Sequence, residues 1–163
     1  MTSLAPAALK TRYTYDTEFN EAPGYLDLIS IGVKCEDGRE FYAVSSEFDK
    51  ARCNDFVIAN VLPKLGPQPP ESRAQIRDRL LAFVGKTRPE LWGYFADYDH
   101  VLLCWLFGRM VDLPKGWPML TLDLKQTMIE KCVRESDLPK KPVNAHNALD
   151  DARWNMDVLN YLR

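Results

Sequence analysis

The side chains that could do chemistry lie in three short segments of this sequence. Asp16 and Glu18 stand near the start, Asp99 stands in the middle, and His146 with Asp151 stands near the end. Four carboxylates supply the oxygen ligands that hard divalent cations prefer, and a histidine imidazole can take a proton from water near neutral pH. Hydrolysis of a phosphodiester with the help of two metal ions needs this combination of ligands and base.

Each segment also has a simpler interpretation. The Asp-x-Glu pair could be a solvated strand face, and Asp97 and Asp99 could be acids that favour a helix start through its dipole. His146 could cap the last helix, with Asp150 and Asp151 as a solvated pair. None of these interpretations explains why all three segments occur together in this order, so the combination favours a catalytic site.

Two-residue periodicity predicts that the first two acids lie on a strand. Because alternate side chains of a strand share a face, Asp16 and Glu18 could hold one cation together. An apolar run follows, and the turn signal Asp37-Gly38 leads into a further strand. The chain therefore opens with a predicted three-stranded antiparallel meander, whose strands cover residues 13–18, 26–35 and 40–45.

The rest of the chain alternates helices with two more strands, and Ser72 with Gln75 has the spacing of a capping box. Helices are predicted over residues 54–61, 72–84, 97–107, 124–134 and 147–162, and strands over residues 91–95 and 119–122. The expected buried positions are Val101, Leu102, Trp105 and Leu106 on the third helix and Ala148, Ala152, Met156 and Leu159 on the last. This order of elements predicts an α/β fold with a mixed five-stranded sheet flanked by helices.

Composition is that of an ordinary globular domain, with 163 residues and a net charge of −2. That charge disfavours a strongly basic, passive nucleic-acid binder but not an enzyme whose carboxylates bind cations. Four dispersed cysteines and two histidines disfavour a zinc site.

We predict a flexible N-terminal extension over residues 1–11 and one domain over residues 12–163. No signal peptide or membrane span is recognisable, which predicts a cytoplasmic protein with no membrane partner.

The three chemical segments resemble the three exonuclease motifs of the DEDDh 3′–5′ exonucleases. Those enzymes are ribonuclease H-like proteins, together with RNase T, oligoribonuclease and polymerase proofreading subunits. Within that group the chain is most similar to the small mycobacterial-type polyadenylate-specific 3′-exoribonucleases. The resemblance covers residues 13–159. The segments that carry it are Tyr15-Asp-Thr-Glu-Phe19, Leu28-Ile-Ser-Ile-Gly32, Tyr42-Ala-Val-Ser45, Phe95-Ala-Asp-Tyr-Asp-His100-Val101 and His146-Asn-Ala-Leu-Asp-Asp-Ala152.

This resemblance implies a ribonuclease H-like fold, a set of catalytic residues and two bound Mg²⁺ or Mn²⁺ ions. It selects Asp99, which follows an aromatic residue, over Asp97, and it selects Asp151, five positions after the histidine, over Asp150. Asp16, Glu18 and Asp151 would then hold one ion, and Asp16 with Asp99 a second. His146 would be the general base that activates water, and hydrolysis at a 3′ end would release nucleoside 5′-monophosphates.

Candidate substrate contacts lie next to these acids and in a basic loop. They are Thr17, Phe19, Lys140 and Lys141. Phe19 could stack on a terminal base or belong to the core, and the two lysines could hold phosphates or lie in a solvated loop. Trp92, Tyr94 and Phe95 are predicted core residues at strand positions, and His100 is predicted to make local contacts only.

Three functions fit these residues. The leading one is an exoribonuclease that acts on single-stranded 3′ ends, with the adenylate preference that the resemblance implies. The second is the same reaction on DNA, since the discriminating contact to a ribose 2′-hydroxyl can come from backbone groups. The third is an inactive RNA-binding module, which would not need the acids. A homodimer is expected from the resemblance alone.

Overall fold

The computed structural model describes residues 10–163 and contains a five-stranded mixed sheet with helices on both faces. Its strands are β1 Lys10–Ala22, β2 Tyr25–Cys35, β3 Glu40–Val44, β4 Arg88–Gly93 and β5 Leu122–Asp123. Its α-helices are α1 Asp55–Asn60, α2 Arg73–Val84, α3 Asp97–Phe107, α4 Leu124–Glu130 and α5 Ala148–Leu162. Short 3-10 helices cover Lys50–Arg52, Leu62–Lys64, Met110–Asp112 and Glu135–Asp137.

The sheet has the order β3-β2-β1-β4-β5, so the long strand β1 is its centre. β1 pairs antiparallel with β2 and parallel with β4, while β2–β3 is antiparallel and β4–β5 is parallel. This arrangement confirms the predicted meander and the mixed sheet. A central strand is held from both sides, which suits it to carry side chains that must keep a fixed position.

Helix α5 lies close against the sheet because Gly32 of β2 has no side chain. A Cβ atom at this position would lie 2.3 Å from the backbone of Ala148, too close for any other residue. The hydroxyl of Thr14 on β1 also donates a hydrogen bond of 2.7 Å to the carbonyl of Ala152. All four residues predicted to be buried on this helix are buried. The first turn of α5 is therefore fixed above β1 and β2.

The buried face of helix α3 differs from the predicted one. Trp105 is 54% exposed, and Val101 is only half-buried. The stripe that packs inward is Asp99, Leu102, Leu103 and Leu106, at the helical spacing i, i+3, i+4, i+7. The stripe is rotated from the predicted one because it begins with a buried acid that faces β1 rather than with an apolar residue.

Several predicted boundaries were also wrong. Strand β4 covers Arg88–Gly93 rather than residues 91–95, because its first residues pair with the start of β1. Lys10 and Thr11, assigned to the N-terminal extension, belong to β1 and pair with β4; residues 1–9 of that extension lie outside the described residues. Strand β5 is only Leu122–Asp123, and α4 ends at Glu130.

Among residues 10–163, none of the helices combines the length and the apolar character that crossing a membrane requires.

Candidate active site

Three carboxylates meet where β1 passes under the first turn of α5. Each of Asp16, Glu18 and Asp151 offers an oxygen, and these oxygens all lie within 4.8 Å of one another. The two strand acids share a face, as the two-residue period predicts. No other group of three or more metal-binding side chains is found among residues 10–163. A divalent cation with oxygen ligands fits such a group.

Charge and burial make these acids hard to ionise without a cation. Burial raises the pKa of Asp16 well above its ordinary value, and the charges of Asp99, Glu18 and Asp151 raise it further. Burial and then the charges of Asp151 and Asp99 raise the pKa of Glu18 to about 8. Burial also raises the pKa of Asp151, although the backbone N–H of His146 opposes this rise. A bound divalent cation would remove the repulsion that these groups share.

Asp99 stands beside this group and is oriented by Thr17. One of its oxygens, Oδ1, accepts hydrogen bonds from the backbone N–H of Thr17 at 2.7 Å and from the hydroxyl of the same residue at 2.5 Å. These bonds lower the pKa of the Asp99 carboxyl, but burial outweighs them and raises it to about 6. Both donors of Thr17 are used in this way, so it positions an acid; it also lines the cleft beside the carboxylates, and its predicted contact with substrate stays a prediction.

The loop before α5 holds His146 in a fixed and unusual backbone conformation. His146 has a φ angle of +71°, in the left-handed region that non-glycine residues rarely adopt. Its backbone N–H donates to Oδ2 of Asp151 at 2.8 Å, and its ring contacts the ring of Phe56 edge-on at 5.1 Å between centroids. Within the described part of the chain the imidazole makes no hydrogen bond, so its nitrogens are open to water.

Lys64 forms hydrogen bonds with this loop on both sides of His146. Its ammonium donates to the carbonyl of Ala145 at 2.5 Å, and its own carbonyl accepts a bond of 2.8 Å from the side-chain amide of Asn147. Its positive charge also lowers the pKa of Glu18. The same Asn147 caps helix α5 by accepting from the backbone N–H groups of Leu149 and Asp150. One lysine therefore links the 3-10 helix Leu62–Lys64 to the loop that carries the candidate base.

The three carboxylates line a cleft of about 380 Å³, one wall of which is aromatic and basic. Tyr94, Lys141 and Trp154 form this wall, together with Asn155. The ammonium of Lys141 lies over the ring of Trp154 at 5.0 Å and over the ring of Tyr94 at 5.7 Å. A negatively charged, single-stranded substrate could lie with its phosphates toward this lysine and its bases against the rings.

The other candidates do not line this cleft. Phe19 is half-buried and contacts the exposed Tyr98 edge-on at 5.7 Å, and Lys140 is exposed beside Lys141. Asp150 points away to Arg153, with 2.6 Å between carboxylate oxygen and guanidinium nitrogen, so the structure separates it from Asp151. His100 binds Thr121 and Cys104 locally, as predicted.

Sequence reasoning missed several residues of the cleft. Trp154 and Asn155 follow Asp151 by three and four positions, so helical spacing alone could have placed them on the same face. Trp92, Tyr94 and Phe95 were predicted to be core residues at strand positions. Trp92 and Tyr94 are half-buried against the core formed with α4 and α5, although Tyr94 also lines the cleft. Phe95, beyond the end of β4 at Gly93, is 62% exposed. Nothing in the proline-rich segment around Lys64 indicated its contact with a loop 81 residues away.

Comparison with known proteins identifies the family of this chain. The family model for the 3′–5′ exoribonuclease Rv2179c-like domain matches residues 11–163. The 3′–5′ exoribonucleases Rv2179c and MT2234.1 of two Mycobacterium tuberculosis strains are each 46% identical to this chain, and the match covers 87% of this chain and 87% of each relative.

Solved structures share the fold at low sequence identity. A zinc-bound complex of E. coli exonuclease I with single-stranded DNA superposes on 94% of this chain with a TM-score of 0.67 and 13% identity. The chain covers only 40% of that protein. A family B DNA polymerase from Pyrobaculum calidifontis superposes on 99% of this chain and 25% of its own, with a TM-score of 0.51 and 14% identity. These likenesses confirm the predicted ribonuclease H-like fold. With the family model and the M. tuberculosis relatives, they establish that this chain belongs to the Rv2179c-like 3′–5′ exoribonuclease family.

Proposed function

We propose that this chain carries out the exoribonuclease reaction of its family on single-stranded 3′ ends, with two divalent cations, Mg²⁺ or Mn²⁺, and His146 as general base. The observation that carries the proposal is the group of three carboxylates within 4.8 Å, in one cleft with His146, whose backbone N–H donates a hydrogen bond to Asp151.

The carboxylates suit a pair of hard cations. Asp16, Glu18 and Asp151 would hold one ion, and Asp16 would share a second with Asp99, whose Oδ2 is not used by Thr17. The raised pKa values of these acids support this assignment, since crowded carboxylates in a buried site gain most from added positive charge. When bound, such ions lower the pKa of a water molecule and stabilise the negative charge on reacting oxygens.

The protein supplies the proton acceptor and the binding surface. Hydrogen bonds from Lys64 and to Asp151 hold the loop that carries His146, so its imidazole can take the proton of a water held near Asp151. Lys141 offers its positive charge to the phosphate backbone, and the rings of Tyr94 and Trp154 offer faces to bases. Release of a nucleoside 5′-monophosphate would follow from hydrolysis of the last phosphodiester.

DNA is the competing substrate, because exonuclease I, which shares the fold, was solved in complex with single-stranded DNA. A gel time course on 5′-labelled RNA and DNA of matched sequence separates the two, with Mg²⁺, with Mn²⁺ and with EDTA. We expect a ladder that shortens from the 3′ end on RNA, needs metal, and is much weaker on DNA. Equal or faster loss of DNA would reassign the substrate.

Two adjacent aspartates give this experiment a matched control. Asp151→Asn removes a proposed metal ligand, whereas Asp150→Asn makes the same chemical change at a residue that pairs with Arg153. We expect the first variant to abolish the ladder and the second to keep it. Absence of any degradation by the unaltered protein would leave an RNA-binding module as the better explanation.

A homodimer is a further proposal. Trp105 of helix α3 is 54% exposed and Val111 of the 3-10 helix that follows is 60% exposed, so each would offer an apolar contact to a second copy. Sedimentation velocity at several protein concentrations tests it; a single species with the mass of one chain at every concentration would contradict it.

A further inference from the structure

A second groove, of about 310 Å³, adjoins the catalytic cleft and shares its wall. Tyr94, Lys141 and Trp154 line both spaces. On its far side this second space, called here the side groove, is bounded by Ser136 of the 3-10 helix Glu135–Asp137 and by Lys140. The two spaces therefore form one continuous surface that leads away from the carboxylates.

The shared wall places a cation between the two spaces. The indole N–H of Trp154 donates to the carbonyl of Pro139 at 2.9 Å, which fastens the loop that carries both lysines. Lys141 lies over the rings of Trp154 and Tyr94, and within the described part of the chain it forms no ion pair. An ammonium that is held by aromatic faces keeps its charge available to an anionic group.

An exposed aromatic ring continues this wall. Phe95 contacts Tyr94 edge-on at 5.1 Å, is 62% exposed and has a φ angle of +55°. Such a backbone conformation is strained for a large side chain, and strain of this kind concentrates at functional sites. The ammonium of Lys125 lies 5.7 Å from the centre of the same ring and pairs with Glu135. Phe95 does not itself line the side groove, but its ring keeps a defined position against Tyr94, which does.

Charge indicates the direction in which a bound nucleic-acid strand would leave the carboxylates. A nucleic acid whose last phosphodiester lies at the carboxylates must continue on its 5′ side, and the next phosphate must avoid Asp16, Glu18 and Asp151. The side groove is an adjoining space, and its cations Lys140 and Lys141 offer the opposite charge. The one acid that lines it, Glu135, is paired with Lys125. We propose that the side groove binds the nucleotide on the 5′ side of the scissile bond, with its own 5′-phosphate at these lysines and its base against Tyr94 and Phe95. This inference rests on the proposed function.

Short RNA substrates test the inference directly on the unaltered protein. Three are compared by kcat/KM: a dinucleotide without a 5′-phosphate, the same dinucleotide with one, and a trinucleotide. Charge-assisted contacts to one phosphate predict that the second and third substrates react faster than the first by roughly tenfold. Equal kcat/KM for all three would overturn the inference while leaving the exoribonuclease reaction intact.

A charge introduced into the side groove gives the second test. Ser136→Glu should repel the added phosphate and remove most of the gain that the 5′-phosphate provides. Ser46→Glu is the matched control, because it adds the same charge to an exposed serine beyond strand β3, at the opposite edge of the sheet. Thermal melting of both variants checks that they are folded. A full gain in Ser136→Glu would overturn the assignment of the groove, whereas failure of every RNA to react would overturn the proposed function itself.

Discussion

The backbone N–H of His146 donates to Oδ2 of Asp151 at 2.8 Å, so the candidate base and a candidate metal ligand are fixed to each other by a bond that needs no substrate. That bond uses the main chain of the histidine and leaves its ring free for chemistry. It also explains the five-residue spacing, because the aspartate lies in the first turn of α5 and the histidine immediately before the cap of that helix. A shorter or longer spacing would move the carboxylate off the loop.

Replacement of the histidine separates chemistry from metal binding. His146→Ala should keep the affinity for Mn²⁺, because no ligand is lost, and should lower kcat by about 100-fold or more through loss of the base. Mn²⁺ affinity is measured by calorimetry and kcat on single-stranded RNA. His100→Ala is the control, since that ring contacts Thr121 and Cys104 instead. Equal loss of metal in His146→Ala and Asp16→Asn would show that the histidine is not the base.

Thr17 offers a test of how Asp99 is positioned. Thr17→Val keeps the shape of the side chain and the backbone N–H bond but removes the hydroxyl donor to Oδ1. Loss of a bond that orients a metal ligand lowers metal affinity or activity by roughly 10- to 100-fold. We expect the Mg²⁺ concentration for half-maximal activity to rise, and Thr17→Ser to restore it.

The control for this substitution is Thr127→Val in helix α4, where the hydroxyl donates to the carbonyl of Asp123 at 3.0 Å. This variant should keep the Mg²⁺ dependence of the unaltered protein. If both valine variants change it equally, the effect reports general stability instead of the orientation of Asp99.

Lys64 should affect the reaction rate through the loop that it holds. Lys64→Met removes the ammonium that binds the carbonyl of Ala145, so His146 should sample more positions and kcat should fall with little change in KM. Lys131→Met is a close match, because that ammonium also donates to a backbone carbonyl at 2.5 Å, that of Leu162. Both variants should lose comparable thermal stability, whereas only Lys64→Met should lose kcat. An equal loss of kcat in the two would contradict a positioning role.

The part of the site that the sequence could predict is the part set by local geometry. A two-residue period places Asp16 and Glu18 on one face, whereas the choice of Asp151 and His146 came from the family resemblance. Helical spacing could also have found the buried stripe of α3, but the prediction treated its first member, Asp99, as an acid outside the core. That acid lies on the buried stripe because Thr17 supplies two hydrogen bonds that compensate for its burial.

The site residues that the sequence did not predict depend on contacts between distant segments of the chain. Lys64 lies in a segment without periodicity, and its carbonyl partner is 81 residues away in the chain. The aromatic wall was missed because strand β4 ends at Gly93, so Tyr94 and Phe95 leave the sheet instead of continuing its alternation. The end of β4 depends on its pairing with β1 and β5, which one sequence does not reveal.

The buried acids also predict how stability depends on pH and metal. The pKa of Glu18 is raised from 4.5 to about 8, so the folded protein binds more protons than the unfolded chain between these values. Its free energy of unfolding should therefore fall as pH rises toward 8, by up to about 1.4 kcal/mol per pH unit for this one group. His100, whose pKa is lowered by burial, acts in the opposite direction but only below about pH 6.5, so it does not contribute between pH 7 and 8. Asp16, whose pKa is also raised well above its ordinary value, acts in the same direction as Glu18. Urea unfolding in EDTA across that interval should show the fall, and Glu18→Gln should make the dependence of the unfolding free energy on pH less steep.

Saturating Mg²⁺ should abolish the fall in the unaltered protein, because a bound cation keeps the carboxylates ionised. The same slope in Glu18→Gln and in the unaltered protein would show that another group causes it.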